Sequence, residues 1–153
     1  MDKTLKISKI KEGTVIDHIP AGKGLKVLSI LGISENGTNT VSIAMRVQSG
    51  HLGQKDVVKV ENRSLGKDEL DKLSLLAPEA SISIIRNFEI VEKFKLSIPD
   101  SVSGIFECQN QNCISKTREP VTPSFQVISK KPIVVKCVFC ERTIAEGEIH
   151  KLL

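Results

Sequence analysis

A chain of 153 residues is long enough for one domain or two small ones. Its formal charge of +4 is a weak electrostatic case for nucleic acid, and five Phe with no Trp or Tyr give few platforms for stacking bases. No apolar run approaches the length of a membrane span.

Taken in order, residues 1–12 alternate weakly through Leu5, Ile7 and Ile10. Residues 14–20 then read as a short β-rich run stopped by Pro20. Asp17 and His18 side by side near its end are odd for a core strand; they read either as a strand tip in solvent or as ligand contacts. Residues 21–33 read as a helix, with Leu25, Leu28 and Leu31 on one face and Val27 and Ile30 widening it. Gly22-Lys23-Gly24 lacks the spacing that lets a run of backbone amides wrap a phosphate.

Residues 40–47 alternate as a half-buried strand, with Val41, Ile43, Met45 and Val47 on one side and Ser42, Ala44 and Arg46 on the other. Residues 56–61 form its antiparallel neighbour. Residues 66–77 form a second helix with Asp68 and Glu69 in its first turn and a stripe of Leu70, Leu73, Leu76 and Ala77. Two more strands follow, over residues 81–85 and 88–96. The order β-α-β-β-α-β-β predicts an α+β fold, a ferredoxin-like antiparallel sheet with two helices and an added strand.

Pro99 interrupts a strand-like run, and we place the domain boundary there, with residues 1–98 as one domain and 99–153 as the other. The second is too small to hold together on a hydrophobic core alone. It carries all four cysteines, paired as Cys108/Cys113 and Cys137/Cys140. Four thiolates can close a tetrahedral shell around one structural Zn²⁺ with no position left for substrate, and metal binding would supply the missing folding energy. Two disulfides are the alternative; strain across such short spacings and the lack of a leader oppose them. Residues 125–128 and 133–135 read as an antiparallel pair delivering Cys137 and Cys140, which makes the unit a small all-β, zinc-ribbon-like domain. Four thiolates and one divalent ion lower the formal charge from +4 to about +2. The free thiols and the absence of a leader lead us to expect a cytoplasmic protein.

Gly13-Thr-Val-Ile-Asp-His-Ile-Pro20, Lys55-Asp-Val-Val-Lys-Val-Glu-Asn62 and the Cys108–Cys113 pair with Asn112-Cys113-Ile114-Ser115 together resemble the regulatory chain of aspartate carbamoyltransferase. The resemblance covers nearly the whole chain. It implies a non-catalytic subunit of pyrimidine biosynthesis whose N-terminal domain binds nucleotide effectors (CTP as inhibitor, ATP as activator, UTP a further candidate). It implies a zinc domain, one Zn²⁺ per chain, that holds this chain against the catalytic chain. Regulatory homodimers would join two catalytic trimers into a dodecamer with three regulatory dimers.

The resemblance also assigns residues. Asp17 suits ribose hydroxyls, His18 falls near the phosphates, and Lys59 and Lys93 match the ribose and triphosphate lysines. Ile10, Phe88 and Ile90 fall where the family lines its base pocket. Ser83 and Phe88 stand where well-known members carry an asparagine and a tyrosine, and both changes remove polar reach. Simple alternation puts Lys93 on the opposite face to Phe88 and Ile90, so a bulge or the long lysine stem must bring its amine to the phosphates.

Two other functions compete. A zinc-ribbon nucleic-acid binder is opposed by the modest charge and the lack of a basic cluster beside the cysteines. An enzyme is opposed by His18, His51 and His150 being scattered, with no recognisable nucleophile–base arrangement. Neither nucleic acid nor membrane is an expected partner.

Overall fold

The computed structural model of the chain describes residues 11–50, 53–116 and 121–153. Leu5, Ile7 and Ile10 lie outside them. The chain divides into two compact units, Met1–Gly66 with Glu79–Leu96 and Lys67–Pro78 with Ser97–Leu153. None of the helices among the described residues is long and apolar enough to cross a membrane.

In chain order the first elements are β1 (Gly13–Pro20), α1 (Gly24–Ile30), β2 (Val41–Ser49), β3 (Gly53–Glu61), α2 (Lys67–Leu76), β4 (Ser81–Arg86) and β5 (Glu89–Lys95). The strands make one antiparallel sheet in the order β2-β3-β1-β4-β5. That is the ferredoxin-like order with β5 added at one edge, as the pattern of elements predicts. Ile16, Ile19, Val58, Val60 and Ile82 are buried on one face of the sheet, where α1 packs across β3 and β2. Burying each such side chain contributes about 1.5–3 kcal/mol.

Helix α1 is shorter than expected, and its buried face is different. Gly24, Val27, Ile30 and Leu31 point inward while Leu25 is 60% exposed. The phase is set at the start, where Gly24 fits so closely against Asp56 and Ile43 that a Cβ there would lie 2.9 Å from each. Gly32 at φ 69° ends the helix in the left-handed region that glycine adopts without penalty, and Ile33 N–H reaches back to Leu28 O at 3.0 Å.

Strict alternation also fails in β2. The pairing with β3 shifts between Ala44 and Val47, so Ser42, Ala44 and Val47 face Lys59, Val57 and Lys55 respectively. A bulge at Met45-Arg46, where Arg46 has φ 58°, moves Val47 from the expected side to the side of Ser42 and Ala44.

The second unit holds α2, β6 (Ser101–Ser103), a 3-10 turn (Ile114–Lys116), β7 (Ser124–Lys130), β8 (Ile133–Cys137), β9 (Thr143–Ala145) and α3 (Glu146–Leu152). Its strands form an antiparallel sheet, β6-β7-β8-β9. The expected pair is β7–β8, with Phe125 opposite Cys137. Helix α3 is an addition that the sequence pattern did not reveal. The core gathers stacked Phe106 and Phe125 rings, centroids 4.7 Å apart, with Ile133, Val135, Ile144 and Ile149. Leu75 of α2 is fully buried in this same core, and His150 Nε2 of α3 lies 3.2 Å from Leu75 O.

Candidate functional site

The face of the first sheet opposite α1 bears an open cavity of about 520 Å³. Alternation explains how it is lined. Val15 and Asp17 come from β1, Lys55, Val57 and Lys59 from β3, and Ser83 and Ile85 from β4. These residues lie opposite one another in the register, with Val15 between Lys59 and Ser83. The β2 bulge adds Val47 beside Ala44.

Lys93 reaches this face through a second bulge. Ile85 pairs with Ile90 and Ile84 with Glu92, which leaves Val91 as an extra residue in β5. Lys93 therefore stands opposite Ser83, and Ile90 and Lys93 both line the cavity. Of the residues singled out from the sequence, Asp17, Lys59, Ser83, Ile90 and Lys93 come together here. His18 and Phe88 are not among the lining residues. Phe88 sits with Asn87 in the β4–β5 turn, both at positive φ, and is 58% exposed.

Among the described residues, three lysines and one carboxylate line the cavity and give it a positive character over an aliphatic floor. Lys55 Nζ lies 2.9 Å from Asp17 Oδ1. Burial acts to raise the Asp17 pKa, but the Lys55 bond, the His18 N–H at 2.6 Å and the two neighbouring charges outweigh it, and the net shift is downward. His18, at φ 58°, turns its Nδ1 to within 3.4 Å of Ser81 Oγ and 3.9 Å of Asp17 Oδ1. Both partners approach the same ring nitrogen, so this is not a Ser–His–Asp relay, which needs one on each nitrogen.

Sequence reasoning missed Lys55, Ile85 and Asp56. Asp56 is fully buried and accepts N–H bonds from Gly22, Gly24 and Arg46. It shares the buried face of β3 with Val58 and Val60, and an acid in phase with core valines was the available signal. The same bonds explain why Gly22-Lys23-Gly24 is no phosphate loop: both glycine amides point inward.

In the second unit the four Sγ atoms lie within 4.8 Å of one another. Cys108 and Cys140 are 3.6 Å apart, as are Cys113 and Cys137, and all four thiols are free. A tetrahedron with metal–sulfur bonds of 2.3 Å has sulfur–sulfur edges of about 3.8 Å. The set therefore fits a metal ion and not two disulfides. Two turns build it. Asn110 closes the first, its Oδ1 accepting from Asn112 N–H at 3.0 Å and its carbonyl from Cys113 N–H at 3.0 Å. In the second, Glu141 at φ 65° donates its N–H to Cys137 O. Burial pushes the Cys108 thiol up to about 12, while the Arg142 N–H holds Cys140 down at about 6.

Two family models cover these two sites in turn. Residues 5–97 match the aspartate carbamoyltransferase regulatory chain, allosteric domain, and residues 100–150 match the metal binding domain of the same chain. The chain belongs to the aspartate carbamoyltransferase regulatory-chain family. Named regulatory chains of this enzyme are similar over nearly their full lengths. That of Thermoplasma volcanium is 59% identical over 150 residues, covering 98% of this chain and 99% of the relative. That of Thermoplasma acidophilum is 54% identical over 149 residues (97% and 99%), and that of Pyrococcus furiosus 57% over 147 residues (95% of each). As a family member, this chain is a regulatory, non-catalytic subunit with an allosteric and a metal-binding domain. The nucleic-acid-binding alternative is not favoured.

Proposed function

We propose that the chain senses nucleotide triphosphates in the sheet cavity and passes the signal to an aspartate carbamoyltransferase catalytic chain held by the metal-binding domain. The observation that carries this reading is the convergence of Lys55, Lys59 and Lys93 on one cavity that also holds Asp17. Ammonium groups neutralise a polyphosphate without reading its base, Asp17 can accept from ribose hydroxyls, and Ile85 and Ile90 offer an apolar surface to the base. Ile10 and Phe88 would complete the base side and His18 would approach from the β1 end. CTP and ATP are the effectors we assign, with UTP as a third.

Cys108, Cys113, Cys137 and Cys140 would hold one zinc, which supplies a structural cross-link and no chemistry. Between the last two cysteines, Val138 and Phe139 are 49% and 41% exposed, an apolar knob suited to a protein partner. We assign it to the catalytic chain. We assign nucleotide sensing to residues 1–98 and partner binding to residues 99–153, with α2 of the first stretch packed into the second compact unit. Regulatory homodimers, three to a dodecamer with two catalytic trimers, would serve pyrimidine biosynthesis in the cytoplasm.

The test is to assay carbamoyl transfer by the cognate catalytic chain with and without this chain, across CTP, ATP and UTP. Nucleotide-dependent rates only in the presence of this chain support the reading. Rates indifferent to every nucleotide in the assembled complex contradict it.

A further inference from the structure

We propose that Asp56, which does not line the cavity, is a positioning residue for nucleotide binding: it holds the β2 bulge that sets Val47 opposite Lys55 and anchors the turn after β1, whose Asp17 pairs with Lys55. The inference rests on the nucleotide reading of the cavity.

Two irregularities face the same short stretch of β3. In β1 the register shifts between Ile16, opposite Val58, and Ile19, opposite Asp56. In β2 it shifts between Ala44, opposite Val57, and Val47, opposite Lys55. Each bulge contains a non-glycine residue in the left-handed region, His18 and Arg46, both at φ 58°. Such conformations persist only when the surroundings enforce them.

Asp17 accepts the His18 N–H within the β1 bulge, and Asp56 holds the β2 bulge and the turn after β1. Asp56 Oδ1 accepts the Arg46 N–H at 2.9 Å, inside the β2 bulge. Its Oδ2 accepts the Gly22 and Gly24 N–H groups at 2.9 and 2.8 Å, in the turn that follows β1. One fully buried carboxylate thus ties the β2 bulge itself to the turn that follows the β1 bulge, with charge-assisted bonds. The consequences lie on the other face. The β1 bulge lets Ile16 and Ile19 both enter the core while Asp17 stays in the cavity, 2.9 Å from Lys55. The β2 bulge sets Val47 opposite Lys55.

The test uses the full chain with zinc bound and calorimetric titration with CTP and ATP, at a temperature where every variant is folded. Asp56→Asn keeps the shape but cannot accept all three bonds, and we expect it to weaken both nucleotides by about fivefold or more. Val27→Ala trims the core of the same unit and should change affinity by less than about twofold despite its own loss of stability. With Lys55→Ala already in place, Asp56→Asn should cost much less, because the two act on one arrangement. If Asp56→Asn does not fold, Gly24→Ala replaces it, since its Cβ would press on Asp56 Oδ2, and the same loss is expected. Wild-type affinity in the folded Asp56 or Gly24 variant overturns the inference and leaves the nucleotide reading standing. An equal loss in Val27→Ala also overturns it. A wild-type chain that binds neither nucleotide overturns both.

Discussion

Lys93 stands directly across from Ser83 because Val91 is bulged out of β5. Were Val91 paired in regular register, Lys93 would fall opposite Ile82 and point to the helix-covered face of the sheet, and the cavity would lose one of the three lysines that line it among the described residues. The functional parity of β5 is thus set by one inserted position, and the charged face follows from it.

Metal removal should separate the two units. One zinc per folded chain is expected, and Cys137→Ala or a chelator should expose residues beyond about Gly104 to proteolysis while the first sheet keeps its circular dichroism. Zinc uptake at neutral pH should release protons, since burial raises the Cys108 and Cys137 thiols in the metal-free site. Ligand atoms must be deprotonated to bind, so affinity should fall as pH is lowered. A fully folded chain with clearly less than one zinc would refute the assignment.

Leu75 belongs to the core of the second unit although its helix lies between β3 and β4 in sequence. A fragment of residues 102–153 therefore leaves a core side chain behind. Losing a buried leucine costs about 2–5 kcal/mol, so the fragment at saturating zinc should unfold at distinctly lower denaturant than the same residues in the full chain. Equal midpoints would show that Leu75 contributes nothing there.

Much of this was legible in the sequence. The order of elements follows from hydrophobic period and turn residues, the ferredoxin-like sheet from packing that order economically, and the metal centre from four cysteines whose spacing needs no long-range information. Much of what escaped in the first sheet has one physical origin. The bulge at Met45-Arg46 and the helix phase at Gly24 depend on backbone bonds to Asp56, which a period of two or 3.6 cannot encode. The bulge at Val91 is one of the two alternatives expected from the parity of Lys93, and cross-strand register decides it. Asp56 itself was visible as an acid in phase with Val58 and Val60, yet its three N–H partners come from elements distant in the chain.

The exposed knob between the last two cysteines should matter for assembly and not for folding. Phe139→Glu should leave zinc content and melting unchanged and weaken association with the catalytic chain by about tenfold or more, as loss of a central aromatic contact does. Sedimentation of the mixed chains checks it. Unaltered assembly would move the docking surface elsewhere.

The central claim is that the lysine-lined cavity holds a nucleotide triphosphate, and calorimetric titration of wild type and Lys93→Ala with CTP and with cytidine tests it most directly. A charge-assisted contact is worth about 1.5–3 kcal/mol, so Lys93→Ala should weaken CTP by at least about tenfold. The much weaker binding of cytidine should be unchanged. Equal losses for nucleoside and triphosphate, or CTP binding untouched by the substitution, would contradict the account.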